Sequence, residues 1–161
     1  MHPRAAELID LLDLQPHPEG GFYREIFRST LRVQPDDARP ARDALTLIYF
    51  LLVDGGCSRW HRVASDEAWS WAEGDALELQ RIDAGLAAFT RERLGAPAEG
   101  CGAAAVIAAG DWQAARTTGA YTLVTCAVGP GFDFADFEML SDLPDLAGEV
   151  SKRHPDASSL V

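Results

Sequence analysis

The residues best suited to chemistry lie in GGCSRWHRVASDEAWSWAEGD, residues 55–75. His61 and Glu67 stand six positions apart, and three of the chain's four tryptophans, Trp60, Trp69 and Trp71, surround them. An imidazole beside a carboxylate can ligate a metal ion, move a proton, or satisfy itself inside an apolar wall. If the chain turns tightly at Ala64, positions 61 and 67 face each other across a hairpin, with Cβ atoms about 4.5–5.5 Å apart. Alternation then puts His61, Val63, Glu67, Trp69 and Trp71 on one face, and Trp60, Arg62, Asp66 and Ser70 on the other. Burying two polar groups alone among valine and tryptophan is costly, so they are expected to pair with each other, a metal or a ligand.

Strands must position these side chains. ALTLIYFLLV (44–53) reads as a strand buried on both faces, and FYREIFRST (22–30) as another. SRWHRV and SDEAWSWA read as two arms of one hairpin, ALELQRI and LAAFTRERL as a second. AAVIA, WQAART and YTLVTCAV complete the set. AAELIDLLDL (5–14), with Leu8, Ile9, Leu11 and Leu12 on one side, predicts a short helix before the PHPEGG turn, and LPDLAGEVSKRH predicts another near the C-terminus. Short strands with frequent turn signals and helices only at the ends predict an all-β sandwich or barrel.

The 161 residues fit a single domain, 1–161, large enough to enclose a cavity. With 14 basic against 25 acidic residues and a net charge of −11, no cluster exists to replace counterions around phosphates, so no nucleic acid partner is expected. The apolar run 44–53 is half the length of about 20 residues that spans a bilayer, so no membrane partner is expected either. The N-terminus has no signal-peptide layout, and three cysteines without C-x-x-C spacing fit a reducing, cytoplasmic location.

The frame Gly55-x5-His61-x-Val63-x3-Glu67-x6-Gly74 resembles the first motif of the cupins, and Gly102-x5-Ala108-Ala109-Gly110-x2-Gln113-x3-Thr117 keeps the spacing of the second. PHPEGGFYRE, AGDWQAA and YTLVTCAVGPGFDFADFE are similar to a branch of short single-domain cupins without an established activity. The resemblance runs from about residue 7 to 140. It implies a jelly-roll barrel (a double-stranded β-helix) with a small-molecule pocket inside, and a homodimer. Cupins hold a metal with three histidines and a glutamate. Here Val63 and Gln113 replace two of the histidines, leaving His61 and Glu67 at ligand positions. A divalent transition metal is therefore the less favoured expectation, and no cofactor is the favoured one.

Without metal, His61 is the candidate base and Glu67 the group that fixes its tautomer. Such a dyad resembles the metal-free cupins that epimerise nucleotide-linked keto sugars with a tyrosine as acid. Tyr23, Tyr49 and Tyr121 are the candidates here, and Arg24 in EGGFYRE is a candidate anion contact. Trp69 and Trp71 would form the pocket wall, Tyr49 and Gln113 would contact the ligand, and Trp60, if exposed, would mark an interface. Phe134 and Phe137 would cap the barrel, with Glu138 facing water. The expected function is small-molecule binding in the barrel; the alternative is a metal-independent isomerase or epimerase acting on a sugar-like molecule.

Overall fold

The computed structural model describes residues 1–160. The chain runs α1 (Pro3–Leu12), β1 (Gln15–Pro16), β2 (Phe22–Arg28), β3 (Arg32–Val33), β4 (Arg42–Asp43), β5 (Thr46–Val53) and β6 (Cys57–Val63). It continues through β7 (Asp66–Gly74), β8 (Leu77–Ile82), β9 (Phe89–Leu94), β10 (Ala104–Ile107), β11 (Trp112–Thr117), β12 (Tyr121–Gly129), β13 (Phe137–Met139) and α2 (Pro144–Arg153). One sheet has the order β1-β2-β5-β12-β7-β10 and a second has β13-β6-β11-β8-β9, while β3 and β4 form a small ribbon. Every strand pairing within these sheets is antiparallel.

Alternation along the strands sorts side chains into three cores. Phe50, Leu52, Trp69 and Val124 of the six-stranded sheet meet Leu77, Leu79, Leu94 and Ala115 of the five-stranded sheet, filling one end of the barrel. On the outer side of β5, Leu51 packs with Leu8, Leu14 and Leu123 beneath α1. The strand 46–53 is thus covered on both faces, as its unbroken apolar run predicts. In α1 the inward stripe is Ala5 and Leu8 with Ile9 and Leu12 beside them, whereas Leu11 is exposed, because a 3.6-residue period cannot bring positions 8 and 11 equally inward with 5 and 12.

The third core corrects an expectation. Trp60 is fully buried on the outer face of β6, with Trp112, Leu140 and Val150 beneath α2 and the 3-10 segment Pro155–Leu160. Its indole N–H donates to the Ala157 carbonyl at 2.8 Å. Alternation placed this tryptophan on the correct face; the C-terminal segment covers that face.

The predicted 58–63/65–72 hairpin is also absent, although the hairpin of β8 and β9 forms. Strands β6 and β7 follow each other in sequence but belong to different sheets, β6 pairing with β11 and β13, and β7 with β12 and β10. The turn at Ala64–Ser65 therefore crosses from one sheet to the other. His61 and Glu67 approach across the barrel interior, not along a ladder.

Candidate functional site

A bulge sets the orientation of His61. Gln113 pairs with His61 and Ala115 with Ser58, so β6 carries one more residue than β11 over this interval. The extra residue lets both Ser58 and His61 turn inward while Trp60 stays outside, a common use of bulges beside functional sites. Phe137, on the short β13 that the sequence did not reveal, stacks on the His61 ring with centroids 5.5 Å apart.

The most informative residue was not among the expected ones. Glu19 sits in the PHPEGG turn between β1 and β2, yet it is buried. The turn is pinned to β6 by Arg59 N–H donating to the Glu19 carbonyl at 2.9 Å and the Arg59 side chain donating to the Pro18 carbonyl at 2.7 Å. Gly20 and Gly21 both have positive φ, and a Cβ at Gly21 would lie 2.7 Å from the Leu51 carbonyl oxygen. Only glycine permits this approach, and it drives the Glu19 carboxyl into the barrel. A carboxylate between Pro and Gly-Gly reads as a solvated turn, so the available signal was the paired glycines and not the acid.

Inside, one network joins both sheets. Ser58 Oγ donates to Glu19 Oε1 at 2.9 Å, and Glu19 Oε2 lies 3.2 Å from His61 Nε2. His61 Nδ1 donates to the Arg59 carbonyl at 2.7 Å. Gln113 Nε2 lies 3.1 Å from His61 Nε2 and 2.5 Å from Glu67 Oε2, while Trp69 Nε1–H donates to Gln113 Oε1 at 2.9 Å. The backbone carbonyl of Arg59, and not Glu67, thus fixes the His61 tautomer. Burial lowers the His61 pKa against the opposing pull of Glu67. Burial also raises Glu19 to about 8, over the opposing Ser58 bond and Arg59 charge, and it raises Glu67. His17 falls to about 4, through burial and then His61, and the Cys126 thiol is pushed well up by burial and then Glu67.

Above this network opens a cavity of about 560 Å3. Glu19, Glu67, His17 and Cys126 reach it from below, and Tyr23, Thr46, Ile48 and Val128 form its walls. Glu25, Arg28, Asp133, Phe132 and Phe134 line its mouth. Arg28 is already committed, donating to Glu25 at 2.7 and 2.9 Å and to Asp43 at 2.9 Å.

Several expected contacts lie elsewhere. Arg24 and Tyr49 are register partners on the outward side of the sheet, where Arg24 donates to the Leu12 carbonyl at the end of α1 and Tyr49 packs beneath that helix. Alternation explains both, since Tyr23 and Ile48 take the inward positions. Tyr121 also faces outward and donates to Glu73. Trp69 and Trp71 pack in the barrel core, not on the cavity surface, with Trp71 donating to the Asp75 carbonyl. Gln113 is fully buried, with its oxygen and nitrogen both engaged by side chains. Phe134 does stand at the mouth, and Glu138 is exposed and paired with Arg62.

The network also bears on how His61 and Glu67 would meet a metal. Trp69 N–H can bond only the amide oxygen of Gln113, which turns the amide NH2 towards His61 Nε2 and Glu67. The two lone pairs that would ligate a cation therefore face an N–H donor. Among the described residues no group of three or more His, Cys, Asp or Glu is placed to hold a metal ion.

Two facing antiparallel sheets, with the cavity opening on the inner face of the six-stranded one, match the cupin class of fold. The chain belongs to the cupin superfamily, in the family DUF985, whose profile matches residues 6–140. A hypothetical protein from Leishmania major is 30% identical, with 98% of this chain and 96% of that one covered and a TM-score of 0.84. A protein from Shewanella oneidensis is 31% identical, with 98% and 94% covered and a TM-score of 0.81. Oxalate decarboxylase from Bacillus subtilis shares the fold alone, at 12% identity and a TM-score of 0.61 over 93% of this chain and 37% of that one. No curated protein matches. No helix among the described residues is long and apolar enough to cross a membrane.

Proposed function

We propose that the barrel binds a small, uncharged, hydroxyl-bearing molecule such as a sugar. The cavity carries this reading: about 560 Å3, with aromatic and aliphatic walls and carboxyl groups at the floor and mouth. That volume falls within the usual range for ligand pockets. Tyr23, Ile48, Phe132 and Phe134 offer faces for a ring's C–H groups, and carboxyl oxygens accept from hydroxyls. An anion is disfavoured, because the arginine at the mouth is offset by Glu25 and Asp43 and the chain carries a net charge of −11. A thermal-shift panel of neutral monosaccharides against their phosphate esters tests this. Neutral members should raise the melting temperature and the esters should not; stabilisation by the esters alone would end this reading.

A second reading is metal-independent isomerisation or epimerisation of such a molecule. It is favoured by two carboxyl groups, Glu19 and Glu67, that line one cavity and are both raised by burial. His61 lies behind them and would position them, with no direct contact to the ligand. Homodimerisation and a cytoplasmic location belong to the same proposal and rest on the family resemblance.

A further inference from the structure

Around Glu19 the hydrogen bonds leave one place for a proton. The Arg59 carbonyl only accepts, so His61 Nδ1, at 2.7 Å, carries a hydrogen. The Gln113 NH2, oriented by Trp69, faces Nε2 at 3.1 Å. A second ring hydrogen on Nε2 would point at that donor, so Nε2 carries no hydrogen and accepts from it. Glu19 Oε2 stands 3.2 Å from the same nitrogen. An unprotonated Oε2 would repel that nitrogen in a dry site, whereas a hydrogen on Oε2 shares the Nε2 lone pair with the Gln113 N–H as a three-centre bond. The ring cannot supply it. Because Glu19 Oε1 accepts the Ser58 hydroxyl, the hydrogen lies on Oε2.

We propose that Glu19 is a neutral carboxylic acid bonded to a neutral His61, and that it is the proton donor of the cavity, with Glu67 as the acceptor on the same floor. Its surroundings agree. The groups facing it are His17 on its own turn, Ser58, Arg59 and His61 from β6, Glu67 from β7 and Cys126 from β12. Of these only Arg59 is a fixed cation, and its guanidinium is bonded to the Pro18 carbonyl. Burial acts in the same direction, holding both histidines neutral and keeping the acid protonated.

This assignment rests on the reading of the cavity as a site for hydroxyl-bearing molecules, and it narrows the substrate class to α-hydroxy carbonyl compounds. Glu67 removes the hydrogen of the hydroxyl-bearing carbon as a proton. The C–H electron pair becomes the new C=C bond, and the carbonyl π pair moves onto oxygen, which takes the Glu19 proton. When Glu67 returns its proton to the original carbon, Glu19 recovers its own proton from the former carbonyl oxygen. When Glu67 protonates the former carbonyl carbon, that oxygen keeps its hydrogen, the C=C pair forms the new C–H bond, and Glu19 is re-protonated from the other hydroxyl as it becomes the new carbonyl. Atoms and electrons balance without an oxidant or reductant. His61 is a positioning residue that holds the acid proton until a more basic enolate oxygen develops.

Two measurements on the full chain test this. Long-range 1H–15N spectra at pH 7 should show the His61 ring neutral and protonated on Nδ1, and unchanged in Glu19→Gln, whose amide preserves both hydrogen bonds. A doubly protonated ring in the wild type that becomes neutral in Glu19→Gln would overturn the assignment by revealing an ion pair. Dihydroxyacetone in D2O should gain carbon-bound deuterium with the wild type, with the rate falling about 100-fold or more in Glu19→Gln and in Glu67→Gln. A Glu19→Gln variant that exchanges at the wild-type rate refutes the role of acid. Absence of exchange by the wild type refutes catalysis, while the ring spectrum still decides where the proton sits and the thermal-shift panel still decides whether the cavity binds sugars.

Discussion

The floor and the mouth of the cavity both carry carboxyl groups, and these behave in opposite ways. At the mouth, Arg28 bonds Glu25 and Asp43, and Arg32 bonds Asp43 at 2.6 Å. Arg28, Arg32 and Glu25 are exposed, and the two guanidiniums, Arg28 first, hold Asp43 below the usual carboxylate range. At the floor, Glu19, His61, Glu67 and Gln113 are almost wholly buried; burial favours the neutral forms of Glu19 and His61, while its upward push on Glu67 is opposed by His61 and by the Gln113 N–H. Solvent access thus separates a cluster of ion pairs at the mouth from a buried proton-holding network at the floor. On the proposed function the mouth would select by charge and the floor by hydrogen-bond polarity.

The sharpest way to break this contrast is Gln113→Leu. The substitution leaves Trp69 Nε1–H without its acceptor and removes the donor shared by His61 and Glu67. Orphaning that many buried polar groups costs at least about 4 kcal/mol, expected as a drop of roughly 10 °C or more in calorimetric melting temperature. A loss of under 2 °C would show that water replaces the amide readily and that the floor is not dry.

Glu19→Gln is expected to have the next largest effect, with the opposite sign. The folded pKa of about 8 lies above the ordinary 4.5, so folding holds a proton that the unfolded chain releases. The stability from this group is fully present below about pH 4.5 and is lost as pH rises through about 8. The amide removes that loss. Wild type and variant should therefore unfold alike near pH 5, and by pH 8 the variant should be more stable by roughly 2–4 kcal/mol in urea. The acid-side cost of keeping His17 and His61 neutral is common to both proteins and cancels. A variant less stable than wild type at pH 8 would mean that Glu19 is an anion.

The same contrast explains what the sequence could reveal. Spacing located His61, Glu67 and Gln113 because strand alternation and the cupin frame are local properties. The sequence could not show that the turn at Ala64 leaves one sheet for the other, since a hairpin and a sheet-crossing corner use similar residues. That error placed the His–Glu contact on a ladder, although both side chains do point inward. Glu19 carried no periodic signal, because its burial depends on two glycines threading a turn past β5 and β6. Arg24 and Tyr49 face outward, and of the three candidate tyrosines only Tyr23 lines the cavity, beside Ile48. The register between β2 and β5 decides that parity, and it has a bulge between Glu25 and Phe27. Trp60 looked like interface for want of the C-terminal cover.

At the mouth, Glu25→Gln removes one of the two carboxylates on Arg28 and leaves Asp43 in place. Exposed pairs contribute little, so melting temperature should move by less than about 2 °C, and 0.5 M salt should erase the difference. Selection should change instead. With Arg28 less neutralised, phosphate esters excluded by the wild type should begin to produce thermal shifts. A loss of neutral-ligand binding without any gain for the esters would place Glu25 in direct contact with the ligand and remove the gate from the mouth.

Arg24→Ala supplies the smallest effect and the control for position. Its guanidinium caps the carbonyl end of α1 from the outer face, so the substitution should cost only a few tenths of a kcal/mol. Ligand affinity and the pH dependence of stability should both match the wild type, because a full sheet thickness separates this side chain from the cavity. Were Arg24→Ala to weaken binding more than Glu25→Gln does, the ligand would have to sit on the outward face of β2. A second copy of the chain could then complete a site there, and the division of labour between mouth and floor would describe the wrong side of the sheet.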